Sequence, residues 1–119
     1  TTHERLKRLI KSKELNEDVI SDALAMRDRE FVELSVAYLA KTTPEQVAKI
    51  FEMKSAKPVI ALAWKAGLSM RMALQLQKDA AHVPPRDIVY PKGGTDYPLS
   101  EDALLWQLEF LGLKRSKKA

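Results

Sequence analysis

Two histidines, His3 and His82, are the only imidazoles in the chain, and there is no cysteine. A zinc site built on a helix needs its ligands clustered, commonly as a pair four residues apart. These two stand 79 positions apart and form no such pair. Without cysteine, thiolate ligands, disulfides and thiol nucleophiles are all excluded. No serine sits in a Gly-x-Ser-x-Gly frame. Ser55, Ser69 and Ser100 each precede an apolar periodic run, the place of a helix cap. Asp28, Glu30 and Glu33 bunch together, but Asp28 reads as a cap and the others as solvated. General acid–base work needs a carboxylate in a shifted environment, and nothing in the sequence marks one. The expectation is therefore no catalytic constellation, no metal and no cofactor.

The connection VPPRDIVYPKGGTDYPL, residues 83–99, holds four of the six prolines and two of the four glycines. It is long for a link within a domain, where connections past roughly 15 residues are often functional. Its centre, Tyr90-Pro91-Lys92-Gly93-Gly94-Thr95, puts Lys92 and Thr95 around a Gly pair whose amides could cradle an anion. It lacks the phosphate-loop pattern, which needs a Gly-Lys-Ser/Thr opening a helix. The favoured reading is a packed connector whose tyrosines fold back on the domain. A second candidate is a basic strip of Lys54, Lys57, Lys65 and Arg71 along the inter-helix turns.

These candidates must be carried by helices, because the start signals are strong. Thr1 with Glu4 suggests a capping box; Asn16 and Asp28 are caps; Thr43-Pro44-Glu45-Gln46 joins a cap, a proline in the first turn and a Gln three residues on. Ser55, Ser69 and Ser100 open three further helices, and Gly67 and Gly112 fit left-handed stops. Strand signals are weak, with only Ile88-Val89-Tyr90 suggestive. Trp64 and Trp106 each lie in an apolar helix and read as core.

A repeat runs through this pattern. LNEDVISDALAMRD, residues 15–28, is echoed 27 positions later by TTPEQVAKIFEMKS, residues 42–55. Each is a striped helix, and each is followed by one apolar nearly all round: Phe31 to Ala40, then Val59 to Ala66. A striped helix lies on a surface and an all-round apolar one is buried between neighbours, so the alternation fits stacked helix pairs. A non-repetitive helical bundle is the alternative. The prediction is all-α: antiparallel helix pairs stacked as a short repeat array of about six or seven helices, closed by a C-terminal helix over 101–111. The expectation is one domain over residues 1–113, a fragment of a longer protein since no initiator Met is present, followed by a basic flexible tail, 114–119.

Charge bears on partners. The net charge of +4 comes from 20 Lys and Arg against 16 Asp and Glu. The tail KRSKKA holds four of the basic residues and no acid, so residues 1–113 are neutral overall. A nucleic-acid-binding domain carries its basic excess on a folded face, which weighs against that function. No apolar run is long enough to span a bilayer.

The run TTPEQVAKIFEMKSAKPVIALAWKAGLS and the later YPLSEDALLWQLEFLGL resemble an uncharacterised bacterial family, mainly alphaproteobacterial, catalogued as a domain of unknown function with HEAT-like helical repeats. The likeness covers about residues 16–111. It implies a helical solenoid in a cytoplasmic bacterial protein, and transfers no site residues. The function expected is a non-catalytic protein–protein interaction module, scaffold or adaptor, whose partner is another protein. The alternative is a nucleic-acid-binding domain using the basic strip and tail.

Overall fold

The computed structural model describes residues 1–113, so the expected basic tail, 114–119, lies outside the described residues. Seven α-helices follow in order: α1 (Thr2–Lys11), α2 (Glu17–Ala25), α3 (Arg29–Ala40), α4 (Pro44–Glu52), α5 (Ala56–Lys65), α6 (Met70–Asp79) and α7 (Glu101–Phe110). A single 3-10 turn, Pro85–Asp87, lies in the connection before α7. Among the described residues there is no strand. Ile88 to Tyr90 is extended but unpaired along the backbone, and the only bridge joins Lys92 to Asp96.

Six helices start as the sequence signals, each with an N-cap side chain accepting from the amide three residues on. These are Thr1, Asn16, Asp28, Thr43, Ser69 and Ser100, with a full capping box at Thr1–Glu4. Ser55 occupies the seventh cap position but makes no side-chain bond. The acceptor's usual partner there would be the amide of residue 58, and Pro58 has none.

The helix starts recur at a spacing close to that of the two echoing segments. Helices α1, α3 and α5 begin at Thr2, Arg29 and Ala56, steps of 27 residues. Helices α2, α4 and α6 begin at Glu17, Pro44 and Met70, steps of 27 and 26. Packing follows the same division. The central pair is α3 and α5: α3 packs on α1, α2, α4 and α5, while α5 packs on α3, α4, α6 and α7. Their side chains show it, since seven of the ten α5 residues are buried, including Val59, Ile60 and Leu62 at 0% exposure. On α3, Phe31, Val32, Val36 and Ala40 are buried, whereas Tyr38 is exposed.

The outer helices do not form a plain row. Helix α2 lies along α6, fastened by Glu17, whose carboxylate accepts from the Ser69 amide at 2.9 Å and its hydroxyl at 2.8 Å. Ser21 donates to Gln75 Oε1 at 3.0 Å one turn further along. Helix α7 closes the core by laying Leu104 and Leu108 against α5.

Trp106 departs from its expected place in the core and is 60% exposed. At about 100° per residue it stands roughly opposite Leu104, which is buried. Trp64 is half-buried against the core.

Candidate functional site

The connection 83–99 is fastened to the helices at two points. Gln77 on α6 is fully buried, and its amide clamps the backbone of Val89: Nε2 donates to the carbonyl and Oε1 accepts from the amide, both at 2.9 Å. Tyr97 donates its hydroxyl to the Leu68 carbonyl at 2.8 Å. Burial first, and then the charge of Glu17, hold that phenol well above its ordinary ionisation range. Ile88, Val89, Tyr97 and Leu99 pack against the core.

Between the two anchors the chain makes a tight turn. Lys92 and Asp96 exchange backbone hydrogen bonds of 2.7 and 2.9 Å, and the Thr95 amide donates to the Lys92 carbonyl. Gly93 and Gly94 take left-handed φ of 61° and 89° at its tip. The amides of Lys92, Thr95 and Asp96 are thus turned to the loop's own carbonyls, which leaves those of Gly93 and Gly94 as the remaining donors for an anion cradle. Tyr97 folds back as expected, but Tyr90 is 56% exposed, with Lys78 Nζ 5.5 Å from its ring centre.

The four residues of the expected basic strip are not gathered together. Lys54 and Lys57 flank the start of α5, while Lys65 ends it and Arg71 opens α6. Along α5, Lys57 and Lys65 are separated by about 12 Å of helical rise. Lys65 donates to the Ala40 carbonyl at the end of α3. Burial, then the neighbouring charge of Lys41, lowers its pKa. Arg71 lies 3.7 Å from the Glu17 carboxylate. Two of the four cations are therefore engaged within the fold.

Two features stand outside those candidates. The first is a cavity of about 440 Å³ where α2, α4 and α6 end, with Leu24, Val32, Phe51 and Ala80 as its apolar lining and Arg27, Lys78, Asp79 and His82 among its polar residues. Arg27 and His82, like Lys54 nearby, hold left-handed φ of 59°, 53° and 52° where a helix more often stops on glycine. At Arg27 and Lys54 a cation sits at the negative end of a helix dipole, and none of the three stops carries a glycine signal. Asp28 on the same wall is already occupied as the α3 cap and as a partner of Arg5 at 3.8 Å. Glu33, close by, has its pKa raised, chiefly by burial, with Arg29 opposing and Glu52 and Glu30 adding. Among the described residues no group of three His, Asp or Glu side chains is placed to hold a metal ion.

The second feature is the outer face of α7. Trp106 and Phe110 stack in parallel, ring centres 5.5 Å apart and planes 7° apart. They are 60% and 63% exposed. Asp102 and Glu109 stand on the same face, and α7 contains three acids and no base. The clue in the sequence is that Leu104, Leu108 and Leu111 already complete the inward stripe, which leaves the aromatic pair, four residues apart, on the opposite side.

The sequence model of a family described as "Uncharacterised protein conserved in bacteria (DUF2336)" matches residues 1–90, which cover α1 to α6 and the first half of the connection. No curated protein and no solved structure matches the chain. No helix among the described residues is long and apolar enough to cross a membrane. The match spans most of the chain, and the chain belongs to this family.

Proposed function

We propose that this DUF2336 chain is a non-catalytic protein–protein interaction module of the bacterial cytoplasm, a scaffold or adaptor offering a HEAT-like helical-repeat surface to a protein partner. The observation that carries the reading is the stacked, exposed Trp106–Phe110 pair. Tryptophan is enriched among the residues that dominate interface energies, and a large aromatic side chain buries roughly 150–250 Å² when covered. Stacking holds both rings in a fixed arrangement, so little side-chain freedom is lost when a partner covers them. The carboxylates of Asp102 and Glu109 on the same face repel phosphate, which favours protein over nucleic acid there.

The test is a pull-down from nuclease-treated and untreated lysate with the intact chain and with Trp106→Ala/Phe110→Ala, partners identified by mass spectrometry and rebound as purified proteins. The expected result is a protein partner lost from the double variant while its melting temperature stays within a few degrees. Equal recovery by both proteins overturns the assignment of the surface. Recovery that vanishes with nuclease transfers the function to nucleic acid.

A further inference from the structure

The packing order through the central helices runs α1, α3, α5, α7, so α1 and α7 lie on the two flanks of the central pair. Their outward faces are opposite in character. On α1, Leu6 is buried and Leu9 and Ile10 pack inward. That arrangement turns Lys7, Arg8 and Lys11 to solvent, where all three are exposed. Glu4 shares the face, but its side chain is tied into the capping box. Helix α1 carries four Lys and Arg against one Glu, whereas α7 carries three acids and no base. On α7 the outward positions are Asp102, Trp106, Glu109 and Phe110, all exposed.

We infer that the acidic aromatic face of α7 in one copy of this chain docks on the basic face of α1 in a second copy. Lys7, Arg8 and Lys11 are opposite in sign to Asp102 and Glu109, and their cationic ends suit the faces of Trp106 and Phe110, since a cation within about 6 Å of an aromatic ring centre is attracted to it. Both faces are single helices of ten residues, so they meet along matching lengths. The inference rests on the adaptor reading and names one partner for its surface.

Such a contact joins two different patches, so it is heterologous and builds chains or rings instead of a closed twofold dimer. It buries less than the ~1,200–2,000 Å² of stable complexes, so association is weak. Its exposed charges are screened by salt over a Debye length of about 8–10 Å, so it weakens as salt rises.

Sedimentation velocity on the intact chain, from micromolar to about millimolar protein in low and high salt, reads this directly. The expected result is a weight-average mass that climbs past that of one chain at low salt and falls back at high salt. Two charge reversals sharpen the test: Lys7→Glu/Lys11→Glu on α1 and Asp102→Lys/Glu109→Lys on α7. All four positions are exposed, and circular dichroism confirms that each variant is folded. Each variant alone is expected to be monomeric, because its two faces then carry the same sign. Mixed together, they present opposite signs again and are expected to associate. Trp106→Ala is expected to lower the association at least tenfold. A wild-type chain that stays monomeric throughout overturns the inference, as does a mixture that fails to associate or a Trp106→Ala chain that associates normally. If the chain stays monomeric yet Trp106 is still required to capture another protein, the adaptor reading stands and only self-docking fails.

Discussion

Replacing Gln77 with leucine tests how the long connection is held. Gln77 is fully buried, and its amide makes two 2.9 Å hydrogen bonds to the backbone of a single residue, Val89. Leucine keeps most of the volume and removes both bonds. Each such bond contributes about 0.5–1.5 kcal/mol net, and a buried polar group left without a partner costs about 1–3 kcal/mol. Val89 is only half-buried, so water recovers part of the penalty at its amide and carbonyl. The expected loss is about 2–3 kcal/mol, which for a domain of this size lowers the melting temperature by about 8–12 °C. The loss should also be local. Amide hydrogen exchange in 83–99 is expected to speed up well before that of α3 and α5, because the connection then opens on its own. Urea denaturation gives the stability change and exchange mass spectrometry its location. A loss under about 0.5 kcal/mol, a difference too small for two bonds of this kind, with unchanged protection at Val89 would refute the clamp.

Three further outcomes are expected. Gly93→Ala with Gly94→Ala should cost about 1–2 kcal/mol per site from left-handed strain with no steric clash, since nothing lies within 4 Å of either added Cβ; thermal melts read this, and lost partner binding at an unchanged melting temperature would assign the turn a recognition role. Tyr97→Phe should cost about 1 kcal/mol at neutral pH by removing one hydrogen bond, and should flatten the alkaline limb of the stability curve. Because the folded phenol ionises above its unfolded counterpart, its contribution is complete below about pH 10 and is lost as pH rises through the folded value, which denaturation at successive pH values measures. Ser35→Ala should stabilise by about 1 kcal/mol, because the buried Ser35 hydroxyl on α3 has no hydrogen-bond partner; destabilisation in urea would mean that the hydroxyl is satisfied after all.

Much of the fold was legible because its signals are local. A cap needs one side chain and one amide three residues later, and six of seven expected caps bond that way. The exception was readable too, since Ser-Ala-Lys-Pro places a proline where the amide is needed. Left-handed stops at Arg27, Lys54 and His82 are not legible, because no glycine marks them; at Arg27 and Lys54 the helix end takes a cation instead. Contacts between distant segments were hidden as well. Nothing in residues 15–28 announces that Glu17 will cap α6 through Ser69, or that α2 and α6 will border one cavity. Of the basic strip, Lys54 and Lys57 fall at the start of α5 and Lys65 and Arg71 near its end, a division that follows from the helix axis between them. Trp106 was misplaced because apolar composition was read without register, although the leucines of α7 already fill its inward face.

The period explains why α7 ends as it does. A fourth helix of the α1, α3, α5 series would begin 27 residues after Ala56, at Val83, where the chain instead reads Val-Pro-Pro. Pro84 and Pro85 in succession each disfavour helical backbone in the residue before, so both Val83 and Pro84 are biased to extended conformations. The next helix is thereby postponed to Glu101, and the intervening chain is held down by Gln77 and Tyr97. Helix α7 packs on α5. Its apolar residues fall on more than one side. Its buried leucines, Leu104 and Leu108, face the core, whereas Trp106 and Phe110 stand exposed on the other side. An apolar face left at that position is the physical reason to look there for a partner, and the carboxylates beside it are the reason to expect a basic one.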